Sequence, residues 1–202
     1  MSLVFLNNNL YRKEIIFFFF LYLTLITSFF FGENSTGGAI KDYLNQKSAS
    51  QGFATEFFKT FYEYDTFATR HSPVLIIFLS LFEKINIPDN IIRLIHTHLC
   101  LLLPFVFYRC LSIKFSGTNK KILFFFVSLI FLSPTFRSLA IWPDSRLFGL
   151  IFFTLSIYYF LRFNESKSFK FAIYNVFILA FSAYISPNFS VFSIFFLINF
   201  IL

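Results

Sequence analysis

Long runs of apolar residues, separated by shorter polar segments, recur along most of the chain. The first run, 15–31, carries no charge, and its 17 residues form a helix of about 25 Å, near the minimum for a hydrocarbon core of roughly 30 Å. The pattern predicts membrane-spanning helices at 15–31, 91–111, 122–142, 147–163, 171–186 and 189–202. The predicted fold is an all-α, polytopic transmembrane helix bundle, with residues 1–202 as a single domain. Because the last run has no polar stop, we expect this domain to be incomplete at its C-terminus.

One long polar segment, 32–73, follows the first predicted span. Within it, aromatic residues from Phe53 to Tyr64 recur at roughly helical spacing and are interrupted by charges, a pattern typical of an amphipathic helix in the membrane interface. The run 73–87 follows, but its ten or so apolar residues are too few to cross a bilayer. We therefore expect 32–90 to be an extracytoplasmic loop that contains interface helices.

The composition argues against a water-soluble domain. The chain is 57% hydrophobic and 13% charged, with 37 Phe among 202 residues, whereas soluble domains are about a quarter charged. A soluble core could not cover so much apolar surface without leaving large exposed patches. Cys100 and Cys110 fall within or at the end of one predicted span and have the spacing of neither a metal site nor a disulfide framework.

The charges separate by membrane side when the N-terminus is placed in the cytoplasm and 73–87 does not span. The cytoplasmic side then receives nine Lys and Arg against two Glu, which is 9 − 2 = +7, the whole net charge of the chain. The other side receives eight basic and eight acidic residues. Since loops rich in Lys and Arg stay in the cytoplasm, this orientation is the expected one. Membrane topology then accounts for the whole basic excess, and we expect no nucleic-acid partner. The composition is compatible with a multi-pass protein of a bacterial inner membrane.

Two groups in the long loop are candidates for chemistry. Asp42 lies about eleven residues beyond the first span, where a carboxylate can act as a general base on a hydroxyl group. Arg70 and His71 precede Ser72-Pro73 where the chain returns to the membrane, and such side chains can hold phosphate oxygens. The alternatives are a solvated loop acid for Asp42 and an ordinary interface pair for Arg70 and His71.

Further ionisable residues occur within or next to the predicted spans. Arg93 and His96 share one helix face, whereas His98, two residues from His96, points about 200° away, so His96-x-His98 is a weak metal site and no metal ligands are assigned. Charged groups in a span tend to face a cavity or a partner. Possible cavity-lining residues on the outer side are Tyr43, Arg93, His96, Arg137, Asp144 and Arg146. The alternative is that these residues only set the membrane topology and face solvent, without lining a cavity.

The order of these elements resembles the N-terminal part of a GT-C superfamily glycosyltransferase, related to aminoarabinose transferases and protein mannosyltransferases. The resemblance rests on Asp42-Tyr43, Thr69-Arg70-His71-Ser72-Pro73 and Arg93-Leu94. It implies transfer of a sugar from a polyprenyl-phosphate donor to a glycan, lipid or protein acceptor outside the cytoplasm. It also implies that Asp42 is the catalytic base and that Arg70 and His71 bind the donor phosphate, and it leaves a requirement for a divalent metal open.

The chain departs from the family pattern at two positions. The acidic residue of this loop is often paired as Asp-Glu, and here it is Asp42-Tyr43; His71 stands where some relatives have Lys. Two other functions therefore stay open. One is a non-catalytic polytopic membrane protein, such as an assembly subunit or flippase partner, and the other is a polysaccharide polymerase or ligase of another superfamily.

Overall fold

A computed structural model describes residues 10–35, 37–67 and 72–201, and every regular element in these ranges is helical, as the sequence predicts. The α-helices are α1 (Leu10–Phe31), α2 (Ala39–Thr55), α3 (Phe57–Tyr62), α4 (Val74–Lys84), α5 (Asp89–Leu99), α6 (Leu102–Lys114), α7 (Lys120–Ser128), α8 (Pro134–Ile141), α9 (Ser145–Ser166), α10 (Phe169–Ile185) and α11 (Phe192–Ile201). Short 3-10 helices cover Tyr64–Phe67, Leu129–Leu132 and Pro187–Phe189.

Two helical stretches are long and apolar enough to cross a membrane. They are Asp89–Lys114, which joins α5 to α6, and α9. A third qualifies if the bent pair formed by Lys120–Leu132 and α8 is counted as one span. The remaining predicted spans are apolar helices of 10–17 residues, at Ile16–Phe31, Phe169–Ile185 and Pro187–Phe200. The model thus supports membrane association, and the full polytopic bundle stays a prediction.

The predicted span 122–142 is bent rather than continuous. Its two helical parts meet at 67° around Ser133 and Pro134. Pro134 has no N–H group and disfavours a helical conformation at the residue before it, so Ser133 is extended, with φ −71° and ψ 116°. The Ser133 hydroxyl then accepts a hydrogen bond from the backbone N–H of Phe136 at 3.3 Å and caps α8. The bend carries Arg137 toward the loop that follows α1.

A milder irregularity separates α5 from α6. Pro104 cannot donate to the carbonyl of Cys100, which instead accepts from the N–H of Leu103 at 3.1 Å. The predicted span 91–111 is therefore two helices that continue in nearly the same direction and count as one stretch of 26 residues.

The segment expected to be mostly loop contains a helix of 17 residues, α2. It packs against α4, and its buried residues Ala49 and Phe53 form a small core with Ile76. The amphipathic helix predicted from Phe53 to Tyr64 is not continuous. The helical conformation is interrupted at Glu56, and the short helix α3 and a 3-10 helix follow. The described parts of 32–90 thus form helices, and α2 packs on α4.

The largest apolar core among the described residues joins α1, α6, α8 and α9 through residues such as Leu25, Leu103, Ile141 and Ile151. The side of α9 that faces away from this core packs closely against α10. Ser182 donates to the carbonyl of Gly149 at 2.8 Å, and the Asn175 amide donates to that of Ser156 at 2.8 Å. Small and hydrogen-bonding residues at such contacts are typical of helix packing in lipid.

Candidate active site

Asp42 lies in the first turn of α2. Gly37, with φ +71°, makes the turn that leads into the helix, a conformation that glycine adopts without steric cost. An acidic side chain is favourable in this position because the N-terminus of a helix carries a partial positive charge. The Asp42 side chain is 46% exposed, so it is open to solvent and to an external hydroxyl group.

Arg146 reaches Asp42 from the start of α9. Its Nη2 donates to Oδ2 of Asp42 at 2.7 Å. Arg146 also donates from Nε and Nη2 to Asp144, whose Oδ1 in turn accepts from the backbone N–H of Arg146 at 2.7 Å. Asp144 thus caps α9 and orients the guanidinium at the same time. The sequence predicted that Asp144 and Arg146 share the side of Asp42, and the model brings the three together.

Two polar atoms of this cluster remain available. Within the described ranges, Nη1 of Arg146 and Oδ1 of Asp42 form no hydrogen bond. The Arg146 side chain is 42% exposed, whereas that of Asp144 is 2% exposed. The buried carboxylate therefore acts as a support, and the exposed carboxylate and guanidinium present their free atoms to the outside.

An apolar groove of about 320 Å³ has Arg146 in its lining, and we call it the Arg146 groove. It lies between α6, α8 and α9, and its walls are almost entirely hydrocarbon. The lining residues are Leu103, Ile130, Ser133, Thr135, Phe136, Leu139, Arg146, Leu147, Leu150 and Phe189. The groove combines one cationic side chain with apolar walls, a chemistry that suits a ligand with an anionic head and a hydrocarbon chain.

Tyr43 is buried beside the cluster rather than lining the groove. Its side chain is 2% exposed, and its hydroxyl donates to Oδ1 of Asp89, which also receives Lys47 at 2.9 Å. Burial, followed by the hydrogen bond to the Asp89 carboxylate, raises the pKa of Tyr43 above its usual range. Tyr43 therefore stays protonated and holds α2 against the start of α5.

Arg93 and His96 lie on one face of α5, as their spacing predicts, and both are buried against α8 and the residues that follow it. Arg93 donates from Nε to the carbonyl of Ile141 at 3.0 Å, and its guanidinium carbon lies 3.5 Å from the centre of the Trp142 ring. Its Nη2 is buried without a hydrogen-bond partner among the described residues. His96 contacts the carbonyl of Ala140 through Nδ1 at 2.9 Å. These two residues join helices.

His98 points away from His96, toward α1, where its Nε2 lies 2.7 Å from the hydroxyl of Tyr22. The described residues contain no group of three or more His, Cys, Asp or Glu side chains placed to hold a metal ion.

Arg137 forms a second ion pair near the site, with Glu33, which lies just beyond the end of α1. Two nitrogens of Arg137 donate to the two carboxylate oxygens at 2.8 and 3.0 Å. The Trp142 indole donates to the backbone carbonyl of Glu33 at 3.0 Å. The hydrogen bond from Arg137 lowers the pKa of Glu33 to about 2. This pair fixes the end of α1 beside the candidate site.

The turn between α10 and α11 also lies close to the site. A Cβ atom at Gly149 would come within 2.9 Å of Ser186, and Phe189 lines the Arg146 groove. The segments around Asp42 and Asp144, which the sequence predicts on one side of the membrane, thus lie close to the turn that begins at Ser186.

The predicted phosphate-binding residues Arg70 and His71 lie outside the described residues. No family model, curated protein or solved structure matches this chain.

Proposed function

We propose that the protein is a multi-pass membrane glycosyltransferase that transfers a sugar from a polyprenyl-phosphate donor to an acceptor outside the cytoplasm. One observation carries the proposal: the exposed carboxylate of Asp42 contacts Arg146, which is also the one charged residue among the described residues that line an apolar groove. A lipid-linked sugar requires an apolar surface for its chain, a positive group for its phosphate and a base near its anomeric carbon. The Arg146 groove would supply the apolar surface, Arg146 the positive group and Asp42, in contact with Arg146, the base.

The proposed topology has the N-terminus in the cytoplasm and the site on the opposite side of the membrane. Support comes from the distribution of Lys and Arg, which assigns the net charge of +7 to the N-terminal side. The apolar stretches Asp89–Lys114 and Ser145–Ser166 supply hydrophobic length. The donor then enters the groove from the bilayer, and the acceptor, a glycan, lipid or protein, approaches Asp42 from the aqueous side.

In the proposed reaction Asp42 accepts the proton of the acceptor hydroxyl group through its free Oδ1. The hydroxyl oxygen attacks the anomeric carbon from the side opposite the phosphate. The bond between that carbon and the phosphate oxygen breaks, and its electron pair leaves with the polyprenyl phosphate. The configuration of the sugar is inverted, and no covalent intermediate with the enzyme forms.

Arg146 stabilises the leaving group in this scheme. Its Nη1 donates to a phosphate oxygen while Asp42 and Asp144 hold the other donors, so the guanidinium does not have to reorient during the reaction. Two carboxylates and one guanidinium carry a formal charge of −2 + 1 = −1, so a bound phosphate needs additional positive charge. Arg70 and His71 are the residues that we propose for it, on the basis of the sequence resemblance.

The decisive variant is Asp42→Asn in the full chain, reconstituted in proteoliposomes with a panel of synthetic polyprenyl-phosphate sugars. The amide still accepts a hydrogen bond from Arg146 but cannot take up a proton. We expect the release of polyprenyl phosphate to fall by about 10²- to 10⁴-fold, the usual contribution of a general base. Asp65→Asn, at an exposed acid of the same loop, is the matched control and should leave the rate unchanged.

Equal rates for the two variants would make the Asp42–Arg146 pair structural. A protein that binds these donors but releases no polyprenyl phosphate would favour the non-catalytic alternative, an assembly or flippase partner.

A further inference from the structure

Helix α6 exposes an apolar ridge far from the candidate active site. Phe107, Leu111 and Lys114 are four and three residues apart and so lie along one face of the helix. We call this face the α6 ridge. Its first residue, Phe107, lies 18 residues beyond Asp89, which contacts the active-site helix α2; this is about 27 Å at 1.5 Å per residue.

A groove runs along each side of the α6 ridge, and Phe107 and Leu111 line both. The groove toward α9 and α11 has a volume of about 510 Å³. The groove toward α7 has a volume of about 420 Å³. Both fall within the range of about 300–1,000 Å³ that is usual for sites that bind small molecules. One helix thus divides two grooves of comparable size.

The walls of both grooves are hydrocarbon. In the larger groove, Phe153 and Phe160 of α9 face Phe195 of α11. Its one hydroxyl, on Thr154, already donates to the carbonyl of Leu150 at 2.8 Å and offers little to a polar ligand. Phe126 and its apolar neighbours line the smaller groove. The chemistry of these walls suits a flexible hydrocarbon chain.

Lys114 gives the α6 ridge a charged end. It lines the larger groove, is exposed, and forms no ion pair with any residue in the described ranges. The charge distribution assigns it to the predicted cytoplasmic side of the membrane, which carries the basic excess. A cation at the end of an apolar groove attracts the net negative head group of an anionic lipid more strongly than a head group with no net charge.

We propose that the α6 ridge binds an anionic glycerophospholipid, with one acyl chain in each groove and its phosphate on Lys114. Two grooves separated by one ridge match two chains joined at one glycerol. The proposal depends on a membrane environment and not on sugar transfer.

Native mass spectrometry of the full chain tests the site, with phosphatidylglycerol and phosphatidylcholine of identical acyl chains added in detergent. We expect phosphatidylglycerol to be retained preferentially. Lys114→Gln should reduce its retention about fivefold, which corresponds to about 1 kcal/mol for one charge near a membrane surface. Lys170→Gln, at an exposed lysine assigned to the same side that lines neither groove, should have no effect. Leu111→Trp fills both grooves and should displace both lipids.

Three outcomes would overturn the proposal. The first is equal retention of the two lipids by the unmodified protein. The second is equal loss in Lys114→Gln and Lys170→Gln, which would indicate general attraction to the basic surface. The third is a dimer that retains no lipid and is cross-linked through a cysteine at position 107, since a second copy of the chain would then cover the ridge.

Discussion

Glu33 is held by Arg137 through both of its carboxylate oxygens, with donors at 2.8 and 3.0 Å. Its carboxylate is only 18% exposed, so solvent screens the pair weakly. The Trp142 indole N–H donates a hydrogen bond to the backbone carbonyl of Glu33. Because Trp142 also stacks on Arg93, one acid just beyond α1 connects α1, α5 and α8. The bend at Pro134 makes this connection possible.

The Glu33–Arg137 pair predicts a dependence of stability on pH. The pKa of Glu33 is lowered from 4.5 to about 2, chiefly by its hydrogen bond to Arg137. Because this pKa is lowered in the folded state, the pair contributes fully to the free energy of unfolding above about pH 4.5. This contribution is lost as the pH falls through about 2. The difference amounts to at most about 3 kcal/mol. We expect the melting temperature in detergent to fall across this range.

Glu33→Gln should lower the melting temperature at pH 7 and reduce its fall between pH 4.5 and pH 2. Glu165→Gln, which breaks an exposed pair with Arg162, is the control and should change neither value much. An unaltered acid profile in Glu33→Gln would assign the transition to other carboxylates.

Close packing of α9 against the turn after α10 predicts that Gly149→Ala destabilises the protein. The added Cβ would lie 2.9 Å from Cβ of Ser186 and 3.1 Å from the Phe189 ring. Relief of this overlap requires the helices to separate, at a cost of about 1–3 kcal/mol. Thermal unfolding in detergent measures the effect. Gly117→Ala, where no atom lies within 4 Å of the new Cβ, should have little effect, and equal losses would contradict the packing argument.

Arg146→Lys tests whether the shape of the guanidinium matters. A lysine ammonium is a point charge and cannot hold Asp144 and Asp42 in the same fixed plane while it donates to a phosphate. We expect polyprenyl-phosphate release to fall by about 10²-fold or more, the usual effect of losing one donor that stabilises a developing charge. A circular dichroism spectrum checks that the fold is retained. Full activity in this variant would remove Arg146 from the proposed mechanism.

The proposed orientation predicts which cysteines are labelled by an impermeant maleimide in intact cells. Lys120→Cys lies at the exposed start of α7 and should react only after the membrane is permeabilised. Asp65→Cys, in the proposed extracytoplasmic loop, should react at once. Cys100 and Cys110 are both buried, so the background should be low. Labelling of Lys120→Cys from outside would reverse the topology.

The sequence located the helices well because apolar runs of this length leave few alternatives. It missed α2, although Ala39, Tyr43, Gln46 and Phe53 recur at helical spacing and become its buried face. The signal was concealed because the buried face includes small and polar side chains and the helix as a whole is not apolar.

The candidate site could be predicted only in part. The sequence grouped Asp42, Asp144 and Arg146 on one side from the alternation of spans. It could not predict that Arg146 touches Asp42, because a contact between remote segments depends on how helices pack. The Arg146 groove was likewise unpredictable, since its volume is the space left between three helices. Glu33 lacked a local signal, as its partner Arg137 lies beyond a bend.

The ion pairs Glu33–Arg137 and Asp42–Arg146 each join residues that are 104 positions apart. A ribosome working at about 5–20 residues per second makes each arginine roughly 5–20 s after its acid. During that interval neither carboxylate has its arginine partner. The segment from Arg137 to Arg146 then emerges within about 2 s and closes both pairs. Assembly of the polar surface during biosynthesis is therefore late and nearly simultaneous, and a nascent chain halted before residue 137 completes neither pair.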